Sequence, residues 1–265
     1  MKKPHSWSKV AGILLAALSL PLSATNPYCP KWLDGDFHIA NNHLWRGIEV
    51  SDGLVMTSSL SVHDRGEHIR FGLWGGTNTS GDYKEFNQFL ELRWKRLKLA
   101  FWDTYNFSPG ATYNNREFFN YSAATTGRFL DAIVSYQCGA SFPLRLQAST
   151  ILFGRDRDAE NRKNRYSSYV YAEYPLLAQS DWHIAVGCGG TFTLRASDDR
   201  TTFYSDRPGV IHVELRVGYR LPLTASYTLP LHTTAVWNPV CDRAFFQVGA
   251  QLLSFYPKAR PYSFK

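Results

Sequence analysis

The chain has 265 residues, a formal net charge of +7, an aromatic content of 15% and a mean hydropathy of −0.29. Beyond the N-terminal stretch, no apolar run reaches the roughly 18 residues that a membrane-spanning helix needs. If the chain crosses a membrane, it therefore does so with strands. The basic residues are dispersed along the chain, so composition argues against nucleic-acid binding.

The N-terminus predicts an export signal. Lys2, Lys3 and Lys9 precede an apolar run from Val10 to Leu22. Ala24 supplies a small residue at the expected cleavage position. We place a signal peptide at residues 1–24 and a single domain at residues 25–265. Removing the three lysines lowers the formal charge from +7 to +4.

Twelve segments alternate apolar and polar residues with the period of two that places successive side chains on opposite faces of a strand. In chain order they are Asp36 to Trp45, Leu54 to His63, His68 to Thr77, Tyr83 to Trp94, Leu97 to Phe107, Arg128 to Gln137, Leu144 to Phe153, Arg165 to Tyr174, Trp182 to Leu194, Val210 to Leu221, Tyr227 to Trp237 and Arg243 to Phe255. An even number of such strands, here over about residues 36–255, is typical of a bacterial single-chain barrel.

The fifth and eighth segments differ in how clear their faces are. In the fifth, Asp103 falls on the face of Leu99 and Phe101, so a β-bulge and the reverse orientation both stay open. In the eighth, Tyr166 and Tyr174 stand at the two ends of the apolar face. Such pairs of aromatic residues are typical of the girdles at the two membrane interfaces.

The tenth segment, Val210 to Leu221, carries the clearest pattern. One face is aliphatic from Ile211 onward, and the other holds ionisable residues such as His212 and Glu214. In an outer-membrane barrel the aliphatic face contacts lipid and the polar face lines the lumen. We therefore expect the whole aliphatic face, Ile211 included, to point into the membrane.

The connections between the segments give an independent test. Every second connection is short, whereas 108–127, 154–164 and 195–209 are long and polar. Outer-membrane barrels alternate short periplasmic turns with longer outer loops. The sequence thus predicts an all-β, transmembrane, antiparallel up-and-down β-barrel of about twelve strands in the bacterial outer membrane, with both termini on the periplasmic side.

Two stretches carry a family resemblance. Trp45-Arg46-Gly47 with the following Ser51, and the run Phe71-Gly72-Leu73-Trp74-Gly75, resemble the first hairpin and the next strand of TorF-type porins, a family of small exported outer-membrane barrels. The resemblance is local and strongest over the first third of the mature chain. It implies an outer-membrane barrel of channel type and brings no catalytic residues.

Ionisable residues recur on the predicted inward faces. The predicted lumen-lining set is Arg70, Glu85, Glu91, Arg93, Asp131, Arg145, Arg165, Glu173, His212, Glu214, Arg216 and Arg220. A narrow pore whose charges set ion selectivity fits this set. A barrel closed by salt bridges, with little conduction, fits it equally well.

Few residues suggest enzymatic chemistry. Asn41-Asn42-His43 is the nearest match to the Ser-His-Asn site of outer-membrane phospholipases, but the surrounding motif is absent. Asp156, Asp158 and Glu160 alternate like calcium ligands, yet basic residues interleave with them. The four cysteines, at spacings that match no metal or redox motif, add no site. We expect no catalytic residues, no metal and no cofactor.

The sequence therefore favours a porin-like channel for ions or small solutes. A plugged structural or surface-interaction barrel is the alternative, and a lipid-modifying outer-membrane enzyme is a third. The expected partners are outer-membrane lipids and lipopolysaccharide, the latter through Arg155 and Arg157 in an outer loop. No nucleic acid is expected, and the oligomeric state stays open.

Overall fold

In the computed structural model, the described residues are 30–179, 181–195, 200–224 and 227–254, and they form an all-β fold. The predicted signal peptide, Cys29 and the segment after Ser254 lie outside the described residues. Within the described ranges, no helix has the length and apolarity to cross a membrane. The described cysteines Cys138, Cys188 and Cys241 are free thiols.

Twelve of the strands form one closed antiparallel barrel, because the first of them pairs with the last as well as with the second. They are β1 (Leu33–Ala40), β4 (Val55–His63), β5 (Ile69–Asn78), β6 (Lys84–Trp94), β7 (Leu97–Asn106), β8 (Arg128–Gln137), β9 (Arg145–Gly154), β10 (Ser167–Gln179), β11 (Trp182–Thr193), β12 (Gly209–Pro222), β13 (Thr228–Asn238) and β14 (Arg243–Ser254). The short strands β2 (His43–Trp45) and β3 (Ile48–Ser51) pair only with each other. The predicted fold class is confirmed.

The first predicted segment is wrong at its C-terminal end. Strand β1 ends at Ala40, which pairs with Val55, and His43–Trp45 belongs to the separate hairpin. At Asn41 the side chain accepts a hydrogen bond from the Val248 amide at 2.6 Å, which ends the ladder. The mixed faces of this segment reflect a chain that leaves the barrel wall.

The eighth segment is also wrong, since β10 begins at Ser167 and continues through Pro175 to Gln179. Pairing with β9 ends at Glu173, so β9 needs no backbone hydrogen bond from Pro175, which has no amide hydrogen. The pairing with β11 shifts register between Pro175 and Leu177. Tyr166 lies before the strand with a φ of 56° and packs beneath Arg195. Tyr166 and Tyr174 therefore do not mark the two ends of one strand.

A belt of exposed apolar side chains surrounds the barrel. Its members include Leu60, Phe71, Leu90, Val134, Leu146, Val170, Val186, Leu215, Trp237 and Val248. A continuous apolar surface on a closed barrel is unfavourable in water and favourable in lipid, and closure satisfies the backbone groups. The chain is thus a transmembrane β-barrel of the bacterial outer membrane.

The connections define two different ends. The short-turn end carries 64–68, 95–96, 138–144, 180–181 and 223–227, and the chain enters β1 and leaves β14 there. The long-loop end carries 41–54, 79–83, 107–127, 155–166, 194–208 and 239–242. The predicted alternation of short and long connections is present, with 79–83 and 239–242 as the short members of the second group.

Candidate functional site in the barrel interior

The hairpin β2–β3 enters the barrel from the long-loop end. Its strands pair at Trp45 and Ile48, and the two turn residues Arg46 and Gly47 have φ values of 50° and 81°. Two successive positive φ values are the mark of the type I′ turn, and glycine at the second position favours it. The tight turn leaves Arg46 at the tip.

The tip lies against the barrel wall. A Cβ atom at Gly47 would stand 2.0 Å from the backbone oxygen of Ile211 in β12, so only glycine fits there. On the neighbouring strand β13, the Asn238 side chain donates a hydrogen bond to the Gly47 carbonyl at 3.0 Å. The hairpin therefore ends inside the barrel and in contact with it.

Arg46 occupies a socket that we call the Asp131 socket, formed by Asp131 of β8, Tyr169 of β10 and Tyr204 of the 194–208 connection. The guanidinium donates to the Asp131 carboxylate and to the Tyr204 hydroxyl. Its Cζ lies 5.4 Å from the Tyr169 ring centre, 5.6 Å from that of Tyr204 and 4.8 Å from that of Trp45. The Arg46 and Asp131 side chains are only 6% and 3% exposed.

The guanidinium of Arg46 stays protonated in this position. Burial alone would lower the pKa of its guanidinium, but Asp131 and Tyr204 more than offset that effect, so the pKa is raised. A buried pair of opposite charges is far more stable than either charge buried alone. The hairpin tip and the wall therefore depend on each other for charge balance.

Aromatic packing surrounds the socket. Trp45 lies 5.8 Å from the Phe129 ring, 6.1 Å from Phe203 and 5.3 Å from Tyr204. Ile211 is completely buried in the same cluster, which corrects its predicted place in the membrane face. The register of β11 and β12 shifts between Gly189 and Gly190 and passes over Ile211, so this residue turns inward.

The base of the hairpin contacts the opposite part of the wall. His43 stacks on Tyr83 with ring centres 5.4 Å apart and lies 5.8 Å from Trp74 of β5. The Asn42 side chain donates to Glu49 at 2.8 Å, and Gln247 of β14 donates to the Asn42 carbonyl at 2.9 Å. The hairpin thus crosses the interior from β5 and β14 to β8 and β12.

Part of the predicted lumen set forms one network on β9, β10 and β12. Arg216 donates to Glu173 at 2.7 Å and to Glu214 at 2.6 Å, and Arg145 lies 3.9 Å from Glu173. The two nitrogens of His212 lie 2.6 Å from the Tyr169 hydroxyl and 3.1 Å from Glu214. The network therefore runs from the socket toward the short-turn end.

Two tyrosines of this network lie over glycines of β11. A Cβ atom at Gly189 would stand 2.4 Å from the Tyr169 hydroxyl, and one at Gly187 would stand 2.3 Å from that of Tyr171. Tyr171 donates to Glu214, and its hydroxyl also lies 3.1 Å from Glu173. Because Gly187 and Gly189 have no side chains, the two tyrosine rings have the space to reach their carboxylate and imidazole partners.

A second group of predicted residues lies on β5 and β6. Arg70 pairs with Asp34 of β1, which is 1% exposed. Glu91 pairs with Lys98 of β7 at 3.0 Å. Glu85 accepts from Asn87 at 2.8 Å and, with Arg93, shares the inward face of β6.

Three predicted residues have other surroundings. Asp131 binds the hairpin and not a neighbouring strand. Arg165 lies in the 155–166 connection, where its amide donates to the Asp156 carbonyl at 3.0 Å. Arg220 lies near the short-turn end of β12, where its amide donates to the Asp181 carbonyl at 2.9 Å.

Sequence reasoning missed the partners that matter most. Arg46 was visible only as part of the Trp45-Arg46-Gly47 motif, and nothing local indicated that it points into the barrel. Tyr204 lies in a loop with no periodicity, and Asp34 precedes the first predicted segment. The Arg46-Gly47 dipeptide favours a tight turn, but it does not indicate on which side of the barrel rim the hairpin lies.

Asp103 resolves the ambiguity of the fifth segment. Strand β7 pairs with β6 and β8 without a register shift, so Asp103 does share the outward face of Phe101. It accepts from Arg128 at 2.9 Å and from Tyr121 at 2.8 Å, and Arg128 is 1% exposed. The 107–127 connection covers this ion pair, so no bulge is needed to remove the charge from lipid.

The two arginines of the 155–166 connection that were predicted to contact lipopolysaccharide make contacts within the protein. Arg155 packs 3.9 Å from the Tyr113 ring centre and 4.7 Å from that of Phe203, and burial lowers its pKa. Arg157 donates to Asn161 at 2.6 Å and to Asn164 at 2.9 Å. Both arginines are engaged within the protein.

The candidate calcium and lipase motifs have structural roles. Asp156 accepts from the Ser167 amide at 2.7 Å and hydroxyl at 2.8 Å, and it caps β10. Among the described residues, no group of three or more His, Cys, Asp or Glu side chains could hold a metal ion. His43 lies inside the barrel, not on the lipid-facing wall that the phospholipase arrangement requires.

Comparisons with known proteins find similarity to solved structures only at low sequence identity. No protein-family model matches the chain, and no curated protein matches it. An outer membrane channel from Pseudomonas putida F1 is similar at 15% identity over 84% of this chain and 95% of that one, with a TM-score of 0.43. OccK9 from Pseudomonas aeruginosa is similar at 14% identity over 77% of this chain and 56% of that one, with a TM-score of 0.35.

The translocator domain of the autotransporter NalP from Neisseria meningitidis is similar at 9% identity over 92% of this chain and 94% of that one, with a TM-score of 0.39. Likenesses of this strength do not transfer a function. The chain's own closure and apolar belt define its class, which is an outer-membrane β-barrel. Its distinguishing feature is the hairpin held in its interior.

Proposed function

We propose that the protein is a porin-like channel for ions or small solutes whose long-loop end is occluded by the hairpin β2–β3. The observation that carries the proposal is the burial of Arg46, at the hairpin tip, in the Asp131 socket. The resemblance to TorF-type porins agrees with it. Export through a signal peptide at residues 1–24, a single barrel domain and an outward-facing long-loop end belong to the same proposal.

The polar interior supports a channel. Toward the short-turn end from the hairpin, the wall carries charged pairs of both signs, including Arg216 with Glu173 and Lys98 with Glu91. A barrel stabilised by its interior alone would do better with apolar packing, because buried ion pairs add little net stability. In this proposal the predicted lumen residues line the pathway and set its ion preference.

A permanently plugged barrel is the second candidate, and the contact of Gly47 with Ile211 favours it. That close approach fixes the hairpin tip against the wall. The two candidates differ in whether the hairpin ever leaves the socket. A lipid-modifying enzyme is the least favoured role, because His43 and its neighbours lie in the interior.

Planar-bilayer recordings test the proposal. We compare the wild type with a variant that lacks residues 43–52, in which Asn41, Asn42, Gly53 and Leu54 join β1 to β4. A channel closed by the hairpin should show rare, brief openings in the wild type and a large, continuous open level in the variant. Arg162→Ala, which removes an exposed arginine from another long connection, serves as the control and should behave like the wild type.

The outcomes separate the candidates. Continuous silence of the wild type, with conduction only after deletion, would favour the plugged barrel. Silence of both proteins, with folding verified by heat-modifiable migration in SDS gels, would refute the channel proposal, because the barrel would then be closed by something other than the hairpin.

A further inference from the structure

We propose that the Asp131 socket is a binding site for guanidinium-type cations, which the chain fills with its own Arg46. The site would accept an alkylguanidinium solute whenever the hairpin is withdrawn or Arg46 is removed. The existence of the site does not depend on conduction, although its use by a solute rests on the proposed function.

The socket has the chemistry of a cation site. Asp131 supplies one carboxylate that is almost fully buried, and Tyr169 and Tyr204 supply two ring faces. A buried anion next to aromatic faces is a strong site for a cation with a flat, weakly hydrated surface. The Tyr204 hydroxyl accepts a hydrogen bond from Arg46 and adds a third recognition element.

The Asp131 carboxylate can accept a further hydrogen bond. Oδ2 of Asp131 accepts from Arg46, whereas its Oδ1 is buried with no hydrogen-bond partner among the described residues. Buried carboxylate oxygens in proteins usually have donors. A free guanidinium, which is not constrained by a hairpin backbone, can turn and donate to both oxygens in a bidentate arrangement.

The present occupant of the socket comes from outside the barrel wall. Arg46 is delivered by a connection, not by a barrel strand, while Asp131 and Tyr169 belong to the wall. If the hairpin withdraws, Asp131 loses the ion-pair partner that it has among the described residues, and the ring face of Tyr169 is uncovered. The geometry of the closed state is therefore that of a site occupied by a tethered cation.

The size of the expected ligand follows from the chain itself. Arg46→Ala keeps the Cβ atom and removes the remaining side chain, which corresponds to ethylguanidinium. We titrate the detergent-solubilised Arg46→Ala protein with millimolar ethylguanidinium and follow heat release and thermal unfolding. Ethylammonium is the matched ligand control, since it carries the same charge without the planar fork.

We expect saturable binding of ethylguanidinium to Arg46→Ala, a rise of its unfolding temperature with ligand concentration, and binding of ethylammonium that is weaker by about tenfold. The wild type should bind neither, because Arg46 fills the socket. The double variant Arg46→Ala with Asp131→Asn should lose binding.

Absence of saturable binding, equal binding of both cations, or binding that survives Asp131→Asn would each overturn the inference. If Arg46→Ala does not fold, the variant lacking residues 43–52 presents the same wall and takes its place. These measurements need no conductance, so a silent bilayer would refute the channel and leave the site standing, whereas failed titrations would refute the site alone.

Discussion

Replacement of Arg46 by methionine should open the barrel. The substitution keeps a long side chain in the Asp131 socket but removes the guanidinium, so the closed state would bury the Asp131 carboxylate without a counter-charge. In the open state that carboxylate faces the aqueous interior and loses little. The free-energy cost of the unpaired carboxylate therefore destabilises the closed state and not the open one.

The magnitude follows from the burial of the pair. Both side chains are less than one-tenth exposed, and breaking a buried ion pair from one side costs about 3–5 kcal/mol. At 1.4 kcal/mol for each factor of ten, the ratio of closed to open protein should fall by about two to three and a half orders of magnitude. Single-channel open probability in planar bilayers measures that ratio.

The double variant Arg46→Met with Asp131→Asn is the decisive control. It removes both charges, so the closed state no longer buries an unpaired carboxylate, and its open probability should return toward that of the wild type. An open probability of Arg46→Met equal to that of the wild type would refute the reasoning. So would a double variant that is more open than Arg46→Met, because the ion pair would then not be what holds the hairpin.

Three further predictions concern the hairpin turn, the interior glycines and the two ends of the barrel. Gly47→Ala should unseat the hairpin and raise conductance, because its Cβ would meet the Ile211 carbonyl; Gly53→Ala has a similar positive φ but open surroundings and should stay closed. Equal conductance of these two variants would point to backbone strain instead. Gly189→Ala should lower the temperature at which the barrel unfolds in SDS gels, at a cost of about 1–3 kcal/mol from overpacking against Tyr169, whereas Gly110→Ala, with nothing within 4 Å, should not. In intact cells of a Cys29→Ser background, a membrane-impermeant maleimide should label Cys241 at the long-loop end. It should not label Cys138 at the short-turn end or Cys188 on the lipid-facing side of the wall. Labelling of Cys138 instead would show that the short-turn end faces outward.

The sequence alone determined the barrel wall. Ten of the twelve segments match their strands to within one residue at each end. This works because a strand between lipid and a polar interior must alternate at every step, so each residue reports its own face. The two wrong segments depart from that condition: Asp36 to Trp45 leaves the wall, and Arg165 to Tyr174 continues through a proline that the incomplete pairing with β9 tolerates.

The interior was only partly predictable, for a physical reason. Periodicity places Glu214 and Arg216 on an inward face, but it does not specify which residues of other strands they meet, since those contacts depend on register around the whole barrel. The bulge that turns Ile211 inward is equally invisible in a strand read by itself. Pairs such as Arg70 with Asp34 arise only when the first and third barrel strands lie on either side of β4.

The hairpin is the feature that tertiary structure alone decided. Trp45-Arg46-Gly47 is a plausible outer loop by composition, and its turn would form equally well above the membrane. It lies inside because Asp131, Tyr169 and Tyr204, which come from distant parts of the chain, meet at one place and form a socket for the guanidinium. A buried charge is stable only beside a counter-charge, and Asp131 reaches Arg46 only when all twelve strands have formed the barrel.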